Sequence, residues 1–298
     1  MAEMLLSPIP IKEEHRATVA RLAIASHKNP IDIKTVLPWS QGIDRSIAPK
    51  RIDQLWIHGT EYVGQLNDEQ KLEVAWKEIA RDVSMFIWLE QKIPVLYVNM
   101  VHKNMGRLSK EVEEYLMVFS KEEIVHTLMF KRYLEMAGLE MFSQPEILTK
   151  LLEEVLPNLA PSVTIMVTMI IEWVAENAVM RSTQESGIEP LTREMFHQHH
   201  IDELRHIAFA RWLGESYFAS CSEEDAKLAQ VILKEVYYKL LENFSFNPEI
   251  ARHTSFEFPV DPNDSEAIAR VQKSEHNNQL NASRFADIEN WLIKVGVL

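Results

Sequence analysis

The sequence predicts an all-α fold built around a bundle of four long helices. Three observations carry that reading. Only 8 of 298 residues are glycine, against 46% apolar residues, a balance that favours long helices over turn-rich β structure. Apolar residues recur at a period near 3.6 through four long stretches. Each stretch is bounded by residues that cap or break helices.

Taken in order, residues 11–28 read as a short amphipathic helix and 29–66, rich in Pro, Gly and turn residues, as irregular. Asn67 or Asp68 caps the first long helix, whose apolar positions include Leu72, Ala75, Trp76, Ile79, Val83, Phe86 and Ile87. Pro94 falls inside that pattern and removes a hydrogen bond to the carbonyl of Glu90, so a kink is expected there. A second long helix starts near Ser109, with Glu111, Glu113 and Glu114 at its positive end, and stops at Gly138. Ser143 to Glu146 has the form of a capping box for a short helix through about Leu156. The third long helix begins near Ser162 and ends before Gly187, and the fourth runs from about Thr192 to about Tyr217. Another runs from Ser222 to about Leu241; residues 244–263 are Pro-rich and polar, and a last helix covers roughly 264–295. No linker divides the chain, so 1–298 reads as a single domain.

The chemistry lies in a repeated pattern. Glu90 is followed, after 31 intervening residues, by Glu122-Glu123-Ile124-Val125-His126. Glu172 is followed, after 29, by Asp202-Glu203-Leu204-Arg205-His206. Positions i and i+3 share a helix face, so each Glu-x-x-His sends a carboxylate and an imidazole inward. A single Glu from each of two helices and Glu-x-x-His from the other two is the ligand arrangement of ferritin-like di-iron and di-manganese bundles. Four carboxylates in a dry core cost several kcal/mol each, roughly, unless neutralised, and two divalent ions neutralise them. Mixed oxygen and nitrogen donors suit iron or manganese.

A single Glu-x-x-His is ordinarily a solvated helix face, and Glu194-Met195-Phe196-His197 reads that way, because His197 lies well off the face of Glu203 and His206. Two matched copies, each preceded by a Glu in an apolar helix, are not explained so. Glu176, one turn beyond Glu172, competes with it or stands behind it. Glu122 and Asp202 either accept hydrogen bonds from the ligand imidazoles or form an interhelical salt bridge, with Arg205 in that network. Met166, Met169, Trp173 and Trp88 read as core packing.

His199 lies four residues before Glu203 on the same face, with His200 as its rival. The set Glu90, Glu123, His126, Glu172, His199, Glu203 and His206 resembles the AurF-like family of di-iron N-oxygenases over residues of about 68–218. The resemblance implies a ferritin-like four-helix bundle with flanking helices at both ends. It also implies those seven residues as metal ligands and catalytic centre, two iron ions as cofactor, O2 as co-substrate and an external electron donor. A bridging peroxo species would then oxidise the nitrogen of a small-molecule amine, free or carrier-bound. The repeat is imperfect, with Val125 where the second copy has Arg205.

Bulk properties narrow the alternatives. A net charge of −13 argues against nucleic acid or an anionic membrane as partner. The apolar stretch Val163 to Met180 contains Glu172 and Glu176, which argues against a membrane span. Cys221 is the only cysteine, which excludes an internal disulfide and points to a reducing, cytoplasmic compartment. The N-terminal MAEMLLSPIPIKEEH lacks the form of a secretory signal. C–H hydroxylation or desaturation on the same core remains an alternative to N-oxygenation. A ribonucleotide-reductase-like radical protein is weakened by Phe130 one turn after His126, which leaves Tyr97 as a remote radical site. Iron storage is the non-enzymatic alternative; the extra segments at both ends fit pocket walls or a homodimer interface better.

Overall fold

A computed structural model describes residues 8–298, so the first seven residues of the N-terminal segment read for a signal lie outside the described residues. Among those residues every regular element is helical: α1 (Glu13–Lys28), α2 (Asp68–Lys103), α3 (Lys110–Ala137), α4 (Glu146–Lys150), α5 (Pro161–Thr183), α6 (Pro190–Ser220), α7 (Glu223–Asn243), α8 (Ile250–His253), α9 (Ser265–Gln272) and α10 (Glu275–Lys294). The fold is all-α and ferritin-like. Hairpins α2–α3 and α5–α6 form the bundle, closed by α2 against α5 and α3 against α6; α1 lies along α3 and α6.

Local chemistry sets the helix ends. Asn67 and Gln70 form a reciprocal capping box at α2: Gln70 N donates to Asn67 Oδ1 at 2.9 Å and Asn67 N to Gln70 Oε1 at 3.0 Å. Such caps contribute on the order of 1 kcal/mol. The helix continues past Pro94 to Lys103. Ser109 caps α3, and Gly138 ends it in the left-handed region at φ 60°, where a side chain is disfavoured. α6 starts two residues before Thr192, because Pro190 occupies the first turn and the Glu189 carboxylate accepts from Thr192 N at 2.7 Å.

Two expectations are corrected. Ser143 does not cap a helix: its N–H and hydroxyl donate to Glu249, at 3.1 and 2.7 Å, and α4 begins after Pro145. A partner distant in sequence has taken the capping hydroxyl. Beyond α4 the chain makes a π turn (Leu151–Val155) and a 3-10 turn (Leu156–Asn158). The single helix expected over 264–295 is two, because Ser274 caps α10 by accepting from Asn277 N, while the Asn277 side-chain amide donates to the carbonyls of Trp56 and Val271.

The irregular segment before α2 is pinned to the bundle. Lys50, 2% exposed, pairs with Glu78 at 3.0 Å and Asp82 at 3.3 Å on α2. Arg51 N donates to the Ser182 carbonyl at 2.9 Å. One helix, α5, is long and apolar enough to cross a membrane by length and composition, but 89% of its most apolar stretch is buried inside the protein, as a core helix would be.

Candidate metal centre

The four bundle helices bring the predicted side chains to one place. Glu90, His126 and His199 each place one donor atom within 4.8 Å of the others', and Glu123, Glu203 and His206 form a second such group. All six are buried. Glu203 joins the groups: its Oε1 stands 3.1 Å from His206 Nδ1, 3.5 Å from His126 Nδ1 and 3.4 Å from His199 Nε2. Glu172 is in neither group, yet it is buried among them, and its proton affinity responds to Glu123, Glu203 and His206.

Each imidazole is oriented by a carboxylate behind it. His206 on α6 donates Nε2–H to Glu122 on α3 at 2.9 Å, and His126 on α3 donates Nε2–H to Asp202 on α6 at 3.1 Å. The two straps cross between the helices. Arg205 bonds both carboxylates, Glu122 at 3.0 Å and Asp202 more closely, and its Nε donates to Ser26 of α1 at 2.9 Å. The two sequence readings of Glu122 and Asp202 therefore hold together: they orient the histidines and they form the interhelical bridge. Val125, at the equivalent place in the first copy, adds no cation, and one arginine serves both halves.

His199 is buried and faces the centre, with Nε2 2.9 Å from Glu90 Oε1. Its Nδ1–H donates to Glu176 at 3.0 Å, so Glu176 stands behind the histidine. His200, half-buried, turns away from the centre and donates to the other Glu176 oxygen at 2.7 Å. His197 is exposed and Glu194 is bonded by Gln198, which sets the Glu194-x-x-His197 pair apart from the centre. Aromatic rings hold the imidazoles, and Phe119 among them was not singled out in the sequence. Phe86 and Phe130 contact His199 at ring distances of 4.9 and 5.0 Å, and Phe119 stacks on His206 at 3.6 Å. Tyr97 donates its hydroxyl to Thr168 at 2.5 Å, one turn before Glu172.

The electrostatics are those of a cation site. Burial and neighbouring carboxylates push Glu123 and Glu172 up, and burial pushes Glu90 up to about 8. Burial also opposes the charge on Glu203, but His206, His199 and His126 outweigh it and hold Glu203 down at about 2. Burial lowers the three imidazoles and the surrounding carboxylates more than reverse it. Glu90 Oε2, both carboxylate oxygens of Glu123, Glu172 Oε1, Glu203 Oε2 and His126 Nδ1 are buried without a hydrogen-bond partner. Buried polar atoms ordinarily find partners. Six unpaired donor atoms on the predicted ligands, supplied as carboxylate oxygen and imidazole nitrogen, fit two hard or borderline divalent cations.

A protein-family model, P-aminobenzoate N-oxygenase AurF, matches residues 12–296. No curated protein matches the chain.

Proposed function

The chain belongs to the AurF family of di-iron N-oxygenases, and from that premise we propose that Glu90, Glu123, His126, Glu172, His199, Glu203 and His206 hold two iron ions. Glu90, His126 and His199 would hold one ion and Glu123, Glu203 and His206 the other, with Glu203 near both groups and Glu172 beside them. The observation that carries this reading is the gathering of buried carboxylates and imidazoles into two donor groups, with carboxylate oxygens and His126 Nδ1 left unpaired. The bound iron pair supplies reduction of dioxygen and delivery of one oxygen atom to nitrogen. The protein's part is to fix the donors and keep the site dry. Glu122 and Asp202 hold His206 and His126 in the tautomer that turns Nδ1 inward, and Glu176 turns Nε2 of His199 inward.

The substrate on this reading is a small aromatic amine, free or tethered to a carrier. For each amine taken to the hydroxylamine, two electrons and two protons are consumed with O2, and one water leaves. A separate redox partner supplies the electrons. The lone Cys221 suits a reducing cytoplasm. Exposed Met117, Ile124 and Leu128 along α3 support a homodimer. Phe130 carries no phenol beside His199, and Tyr97 gives its hydroxyl to Thr168, so the radical-protein reading finds no support at either place.

The test is metal analysis of protein produced with ample iron, followed by mass spectrometry of amines offered to the reduced protein with O2. Two irons per chain and an oxygen atom on nitrogen are expected. One zinc per chain, or oxygen found only on carbon, would overturn it.

A further inference from the structure

Two seams run between the hairpins of the bundle, α3 against α6 and α2 against α5. The α3–α6 seam is closed: Glu122, Arg205 and Asp202 are bonded across it, and Ser26 of α1 bonds the guanidinium. The α2–α5 seam joins the two helices that bring single carboxylates, and outside it lies a cavity of about 570 Å³. The π turn after α4, α7 and residues 244–249 cover it. Met85 and Trp88 of α2 and Ile171 of α5 form its inner wall, and Ile171 is adjacent to Glu172. These three are buried apolar side chains, in contrast to the ion pair that bridges α3 and α6.

Several polar groups around the cavity are already engaged. Arg81 donates to Asp82 at 2.9 Å and lies over the Phe244 ring, Glu249 accepts from Ser143, and Gln272 donates to the Phe246 carbonyl at 3.0 Å. The surface left for a ligand is mainly aromatic and aliphatic, with Gln144 Nε2 and Ser245 Oγ buried in it without hydrogen-bond partners. Cavities of roughly 300–1,000 Å³ take drug-sized molecules, so this one has room for more than a single ring.

We propose that this cavity receives the apolar body of the amine substrate, with its nitrogen reaching the metal centre through the α2–α5 seam. The substrate is then an amine carrying an extended, uncharged apolar group. The proposal rests on the N-oxygenase reading above. Its test separates binding from turnover. Iron-loaded, reduced protein is titrated under argon with aniline and with 4-aminobiphenyl, and heat is measured. The protein is compared with Leu148→Trp and Val236→Trp, which fill the cavity from α4 and α7, each checked by its melting temperature. The wild type binds 4-aminobiphenyl at least about tenfold more tightly than aniline, and both variants lose that gain while keeping aniline affinity. If lengthening the amine gains nothing, or the folded variants bind 4-aminobiphenyl as the wild type does, the cavity assignment is overturned. Oxygen is then admitted and the wild-type products are weighed. Length-dependent binding without any N–O product would sink the N-oxygenase reading and leave the cavity assignment standing; N-oxidation of aniline without length discrimination would do the reverse.

Discussion

Replacing Arg205 by Met probes the joint between the two halves of the site. The guanidinium bonds Glu122 and Asp202, whose side chains are 6% and 3% exposed. Breaking a buried ion pair costs about 3–5 kcal/mol. Arg205 is itself 11% exposed and Met refills its volume, so the lower end, about 3 kcal/mol, applies. At about 2 °C per kcal/mol for a chain of this size, the loaded protein should melt about 6 °C lower. The loss should be smaller without metal. There burial disfavours the charged imidazoles, but the carboxylates around His126 and His206 prevail and keep them cationic, and they partly replace the arginine. With metal on Nδ1 the rings are neutral, and Arg205 is the cation left to face both carboxylates. Metal affinity should accordingly fall about 10–100-fold. Calorimetric melting with and without metal, and competition with a chelator, measure both effects. Equal destabilisation of loaded and stripped protein, with affinity unchanged, would refute the link between Arg205 and the ligands.

Other outcomes rest on the same geometry. Glu90, Glu123 and Glu172 have proton affinities above their unfolded values, as do the three histidines, so the stripped protein should lose stability as pH rises from about 5 to 8. Metal displaces those protons, so the rise in melting temperature on loading should grow from pH 6 to 8; a shift that shrinks over that range contradicts the ligand assignment. His199→Ala should keep two metals on the remaining six ligands while slowing turnover, whereas Glu123→Ala or Glu203→Ala should lose metal, as elemental analysis will register. Gly214→Ala places a methyl 2.8 Å from Trp291 and 2.9 Å from the Met166 sulfur. Overpacking of about 1–3 kcal/mol should exceed a helix gain of about 1 kcal/mol, and a melting temperature at or above wild type would show that Trp291 yields.

The site was legible because helical periodicity converts spacing into direction. Glu123 and His126, or Glu203 and His206, can share a face only as a helix turns. That rule put His199 ahead of its rival His200, and in the structure His199 faces Glu90 while His200 bonds Glu176. The pattern left Glu176 open between ligand and support, since one turn beyond Glu172 serves either; two histidine hydrogen bonds decide its present place. What periodicity does not carry was missed. Ser143 has a capping residue's chemistry, but Glu249, more than a hundred positions away, binds it. Ser26 gives no local sign that it will meet Arg205, and the cavity outside α2 and α5 arises from segments after α4 and after α7 that keep to no regular pattern. Long-range partners of side-chain hydroxyls and the space between irregular segments are set by tertiary packing.

The crossed straps make each half of the duplicated pattern incomplete by itself. The α2–α3 hairpin carries His126 but not the carboxylate that orients it, and the α5–α6 hairpin carries His206 but not its own. Neither hairpin, severed in the loop beyond Gly138, would present a finished ligand set, and two copies of the first hairpin would bring no arginine to the joint. The halves are thus bound to change together: a substitution at Glu122 is felt at the histidine of the other half, and drift in one hairpin narrows what the other can tolerate.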